Sequence, residues 1–126
     1  MVRDVRQKKI FDWCKEVFGD VSATPYERAL RFLEEAIELA QASGVIRDDA
    51  IRLAHHVYNA PCGSVDKEAG AVSVTLLAYC ESVGLSADDE EQREVARVTG
   101  MDREKMRDRY LNKVRLGLAA PPMEKK

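Results

Sequence analysis

Glu34, Glu35 and Glu38 lie close together in the stretch Arg31 to Ala40, whose other members are mostly apolar. On a helix, positions three apart share a face, so Glu35 and Glu38 point the same way, one turn from each other. Like charges at that spacing repel by a few tenths of a kcal/mol, a small cost without a structural return. A hard cation such as Mg²⁺, which prefers carboxylate oxygens, turns that repulsion into binding. Oxygen-only ligation points to Mg²⁺ or Mn²⁺ rather than zinc, because neither Cys nor His falls at ligand spacing. Cys14, Cys62 and Cys80 are odd in number and far apart, which excludes a complete intrachain disulfide framework and any CxxC pair. His55 and His56 are neighbours that cannot share a helix face and lack an HExxH setting, so they read as surface or packing residues.

The elements that must position these carboxylates are legible as helices. Residues 3 to 18 form a first candidate, with Val5, Ile10, Phe11, Cys14, Val17 and Phe18 tending to one side and Gly19 closing it. Thr24-Pro25-Tyr26-Glu27 opens the second, with a capping threonine, proline at the first helical position and glutamate three after the cap. This helix runs to Ser43 and stops at Gly44; Tyr26, Leu30, Leu33, Ile37 and Ala40 form one side, which Ala29, Phe32, Ala36 and Leu39 widen to about half the circumference. A helix that apolar is expected to be mostly buried. A shorter segment spans Asp48 to Asn59. Ser64 is read as the cap of a fourth helix, Val65 to Val83, whose body from Ala69 to Tyr79 is small and apolar nearly all round and belongs in the centre of a fold. Ser86 and Asp102 cap two further, strongly charged helices with thin apolar stripes, Val95 and Val98 on one, Met106, Tyr110 and Val114 on the other. Residues 119 to 126, with Pro121-Pro122, read as a disordered tail after a single helical domain over 1 to 118.

Composition narrows the function classes. A chain of 126 residues is most simply one domain. At 45% hydrophobic and 33% charged residues, neither disorder nor a membrane class is indicated. A net charge of −2 gives no overall basic field for a nucleic acid backbone. No apolar run approaches the roughly 20 residues that cross a bilayer, and Met1 to Lys9 lack the apolar core of a signal peptide, so a cytoplasmic location is expected.

Packing the two apolar helices against each other brings Glu35 and Glu38 near Glu68, in the first turns of the fourth helix. Three carboxylates held together call for a divalent cation, which orients a polyphosphate and neutralises its charge while water attacks phosphorus. Arg109 and Lys113, four apart on the last helix, offer cations to phosphate oxygens, although a basic helix face is also what a solvated surface looks like.

Glu34-Glu35-Ala36-Ile37-Glu38 is an EExxE run, and with Phe11, Trp13 and Phe18 before it, Pro25 and Arg28-Ala29-Leu30 on its approach, the break at Gly44, and Lys67-Glu68 ahead of an apolar helix, residues 10 to 117 resemble the all-α nucleoside triphosphate pyrophosphohydrolases, the MazG-like superfamily. The resemblance implies an antiparallel helical bundle with a four-helix core, completed by oligomerisation into a homodimer or homotetramer. It implies Mg²⁺-dependent cleavage of nucleoside triphosphates between the α and β phosphates, giving monophosphate and pyrophosphate, in the clearance of non-standard or excess nucleotides. Glu35, Glu38 and Glu68 would be metal ligands, Glu34 a further ligand or the group that orients the attacking water. Arg109, Asn112 and Lys113 would contact phosphate, and Trp13 would lie against the base. The chain departs from the family pattern at Ala71, where the second motif, ExxD, carries aspartate. A catalytically inactive relative that binds nucleotide or metal, or works through partner contacts, therefore stays open, as does the reading of Trp13 as a core residue.

Overall fold

The computed structural model describes residues 2–123. Among these, all regular structure is helical: α1 (Arg3–Phe18), a 3-10 turn (Asp20–Ala23), α2 (Pro25–Ala42), α3 (Arg47–Tyr58), α4 (Val65–Ser82), α5 (Ala87–Thr99) and α6 (Arg103–Arg115). The all-α class is borne out. No single helix among the described residues is long and apolar enough to cross a membrane.

Local chemistry sets most helix ends. Gly19 takes φ +85°, a region that favours glycine, and its N–H returns to the Lys15 carbonyl at 2.9 Å, which ends α1. Ser86 Oγ accepts from the Asp89 N–H at 3.2 Å and Asp102 Oδ1 from the Lys105 N–H at 3.1 Å, each satisfying one of the free donors that open a helix. Two expected caps are not made. Thr24 Oγ1 donates backwards to the Val21 carbonyl at 2.6 Å and leaves α2 to begin on Pro25 alone. The Ser64 hydroxyl serves Asp66 instead, and with the Lys67 and Asp66 N–H groups it holds that carboxyl below its ordinary range.

The buried core sits where α1, the 3-10 turn, α5 and α6 meet. Trp13, Cys14 and Val17 pack with Ile10, Phe18, Val98 and Met106, while Val21, Tyr110 and Ala119 pack with Phe18, Val114 and Ala120. The thin stripes of α5 and α6 are thus the faces turned inward. On α1 the inward face differs from the expected one: Val5 and Phe11 stay exposed, and Arg6 is buried instead. Its guanidinium bonds Glu91 at 2.9 Å and Asp88 at 2.6 Å, joining α1 to the start of α5.

Two further expectations are corrected. Residues 119 and 120 of the expected tail are fastened to the domain: Ala119 is buried, and the Ala120 N–H reaches the Glu27 carboxylate at 2.8 Å. Residues 121–123 are exposed and without regular structure, and the part of that expectation over residues 124–126 lies outside the described residues. Nor do α2 and α4 form a buried pair within one chain. Glu27 is the buried residue of α2 and Cys80 that of α4, and the two helices meet at Ser43 and Tyr79, whose hydroxyls are hydrogen bonded, without packing along one another. Helix α3 has no buried residue and makes no extended contact with another helix, while α4 touches α5 and buries Cys80.

Candidate functional site

A cavity of about 270 Å³ opens between α1, α2, α5 and α6. Its apolar wall is Trp13, Phe18, Val98, Met106 and Tyr110. Trp13 stands edge-on to Phe18, ring centroids 5.8 Å apart at 89°, and Phe18 leans on Tyr110 at 5.7 Å.

The polar wall comes mainly from one face of α2, where helical spacing sets Glu27, Arg31, Glu34 and Glu35 in succession. Arg31 is their centre. Its Nε lies 3.2 Å from Glu27 Oε1, close enough for an ion pair although the N–H is not aimed to hydrogen bond; Nη1 reaches Glu34 Oε2 at 3.3 Å; Nη2 donates to the Leu118 carbonyl. Lys113 Nζ donates to the other oxygen of Glu34 at 2.6 Å. Glu34 is therefore shared by two cations. Glu27, only 1% exposed, also accepts the Ala120 N–H, and the Tyr110 hydroxyl donates to the Ala120 carbonyl, so residues 118 to 120 are strapped beneath the cavity.

Glu35 has no such partner among the described residues. Partial burial, then the neighbouring Glu38 carboxylate with which it shares a hydrogen bond, then Glu34, push its carboxyl above the ordinary range, and Lys113 opposes them. Arg97 feels the charge of Glu35, although its direct pair is Glu94 at 2.8 Å. Among the other pocket cations, Arg28 donates to Cys14 Sγ at 3.3 Å, and Arg109 has no ion-pair partner among the described residues. The Cys14 thiol is pushed up by burial, with Arg28 opposing. Like Arg31 Nε, Trp13 Nε1 and Arg28 Nε have no hydrogen-bond acceptor among the described residues.

Of the residues singled out from sequence, Trp13, Glu34, Glu35, Arg109 and Lys113 come together around this cavity. Glu38 adjoins it through Glu35. Asn112 does not face it; its side-chain oxygen accepts from Arg115 on the same helix. Glu68 does not line it either. Its carboxylate folds back over Gly63, filling the space that a Cβ there would take. Among the described residues no group of three or more His, Cys, Asp or Glu side chains is arranged to hold a metal ion. The meeting of Glu35, Glu38 and Glu68 expected from sequence is thus not made, and the carboxylates of the described residues do not fit a Mg²⁺ site.

Sequence reasoning missed Glu27, Arg31 and Arg97. Glu27 carries the Thr-x-x-Glu signal of a capping box, and the same spacing serves a carboxylate that turns inward. Arg31 and Arg97 gave no signal, since an arginine on a charged helix looks like any solvated one. No family model, curated protein or solved structure matches the chain.

Proposed function

We propose that the protein is a nucleoside triphosphate pyrophosphohydrolase, which adds water across the bond between the α and β phosphates to release a monophosphate and pyrophosphate. The observation that carries this reading is the cavity itself, where a carboxylate pair, Glu34 and Glu35, faces two cations of α6, Arg109 and Lys113, with the indole of Trp13 in the same wall. That combination suits a ligand with an aromatic base at one end and several negative charges at the other. Arg109, without a carboxylate partner among the described residues, is available to a phosphate oxygen. Glu35, whose carboxyl is raised by partial burial and then by Glu38, is the acid or base best placed to handle the proton of an attacking water. Mg²⁺ belongs to the expectation, and the roles given above are those of the side chains; among the described residues no three carboxylates are arranged to hold it.

A second reading has its own observation. Ala71 stands where the motif aspartate would be, and Glu68 lies away from the cavity, as in a relative that binds nucleotide without turning it over. Incubating the purified protein with a panel of NTPs and dNTPs plus Mg²⁺ or Mn²⁺ separates the two. Monophosphate and pyrophosphate are expected from at least one of them. Binding of a nucleotide without product, at high protein concentration, would establish the non-enzymatic reading instead.

A further inference from the structure

Helix α6 gives the cavity two ends. Met106 packs against the cluster of Trp13, Cys14 and Val17, and Lys113, about 10 Å further along the helix, pairs with Glu34. The Lys113 end carries the charges assigned to phosphate. At the Met106 end stand Trp13 and Cys14 of α1 and Arg28 of α2, whose Nη1 donates to Cys14 Sγ at 3.3 Å.

Two donors at this end call for acceptors. Trp13 is 9% exposed, yet its Nε1–H has no acceptor among the described residues, and neither has Arg28 Nε–H. The large majority of buried donors in folded proteins are paired, because one left unmet has given up its water for nothing. An indole N–H and a guanidinium can only donate, so neither relieves the other. Carboxylates of the wall are already engaged: Glu27 by Arg31 and the Ala120 N–H, Glu34 by Arg31 and Lys113, Glu94 by Arg97.

We propose that the ligand's base is a 6-oxopurine, guanine or hypoxanthine, whose O6 and N7 are taken by Trp13 Nε1–H and Arg28 Nε–H. The inference rests on the preceding reading for its nucleotide pocket, not for the cleavage. O6 and N7 lie side by side as two acceptors, whereas the same edge offers an amino donor beside N7 in adenine, an amino donor in cytosine and one carbonyl in uracil. Phe18, Val98 and Met106, in the same wall, suit the apolar faces of the ring.

Calorimetric titration of the full chain tests this, using inosine, guanosine and adenosine triphosphates with a methylene bridge between the α and β phosphates, which resists cleavage there. The inosine and guanosine compounds should bind at least about fivefold more tightly than the adenosine one. Because the chain has a single tryptophan, its indole N–H gives one signal in a proton–nitrogen NMR correlation spectrum. That signal should move downfield and exchange more slowly with solvent when the inosine compound is added. Trp13→Phe, which keeps an aromatic ring, and Arg28→Met, which keeps most of the stem, should each shrink the preference in chains that circular dichroism shows to be helical. Equal affinity for the inosine and adenosine compounds, or an indole signal that saturating inosine compound leaves unmoved, would overturn the proposal in the wild type alone, whatever the variants do. A preference that survives both substitutions would do the same. If the preference holds while natural ITP and GTP with Mg²⁺ yield no monophosphate, the pyrophosphohydrolase reading falls and this one stands. Monophosphate released from nucleotides bound with equal affinity is the reverse case, and no binding of any compound overturns both.

Discussion

Lys113 Nζ and Glu34 Oε1 are 2.6 Å apart, and this pair ties α6 to α2 across the mouth of the cavity. Both side chains are about one-third exposed or less, so the pair is screened less than a surface one. A double-mutant cycle with Lys113→Ala and Glu34→Gln should give a coupling of about 0.5–1 kcal/mol in urea unfolding, decreasing with added salt. A coupling of zero at low salt would mean that Arg31 alone neutralises Glu34.

Glu27 should be the least replaceable acidic residue. Glu27→Ala removes the buried carboxylate that pairs with the Arg31 guanidinium and accepts the Ala120 N–H, and should cost about 3 kcal/mol of stability. Glu27→Gln keeps one acceptor oxygen and should cost about 1 kcal/mol. Denaturant midpoints for the two variants measure the difference, and equal losses would argue that the charge matters and the acceptor does not.

The raised Glu35 carboxyl fixes the sign of a pH effect. Its protonated form is favoured in the folded chain relative to the unfolded one, so its contribution to stability is complete below the ordinary carboxyl range and is lost as pH rises through the raised value. Replacing the strongest charged neighbour, in Glu38→Gln, should bring Glu35 down towards its ordinary value. Carboxyl-carbon NMR titration of wild type and variant reads this directly; an unmoved Glu35 would leave burial as the whole cause.

Trp13 reports on the cavity, as the chain has no other tryptophan. A nucleotide that enters should change its fluorescence in proportion to occupancy, and Arg109→Ala should weaken the response several-fold without changing its amplitude. Trp13→Ala should lose about 3–5 kcal/mol of stability, because the same ring fills the core against Phe18. If that variant is as stable as wild type, the indole is a ligand contact and not a core residue.

The sequence carries the helices well and their partners badly. Pro25, Gly19, Ser86 and Asp102 mark helix ends by local chemistry, which is complete within a few residues. The grouping of Trp13, Glu34, Glu35, Arg109 and Lys113 was also foreseeable, from the resemblance. What periodicity does not tell is which surface covers an apolar face. Leu33 and Ile37 satisfy the pattern of a buried stripe whether the cover is α4 of the same chain or something else, and Glu68 was placed by assuming the former. Val5 and Phe11 misled in the same way, because their hydrophobicity outweighed an arginine whose two carboxylate partners lie more than eighty residues away.

The bonds that fasten residues 118 to 120 all end on main-chain atoms: the Leu118 carbonyl, and the N–H and carbonyl of Ala120. Such a fastening is indifferent to most side chains but not to shape. Leu118, half exposed, should accept polar replacements freely, and Ala119, buried against Val21 and Tyr110, should accept nothing much larger than itself. Proline at position 120 would delete the one hydrogen that Glu27 receives from this segment, so a single imino acid would undo what no change of polarity could.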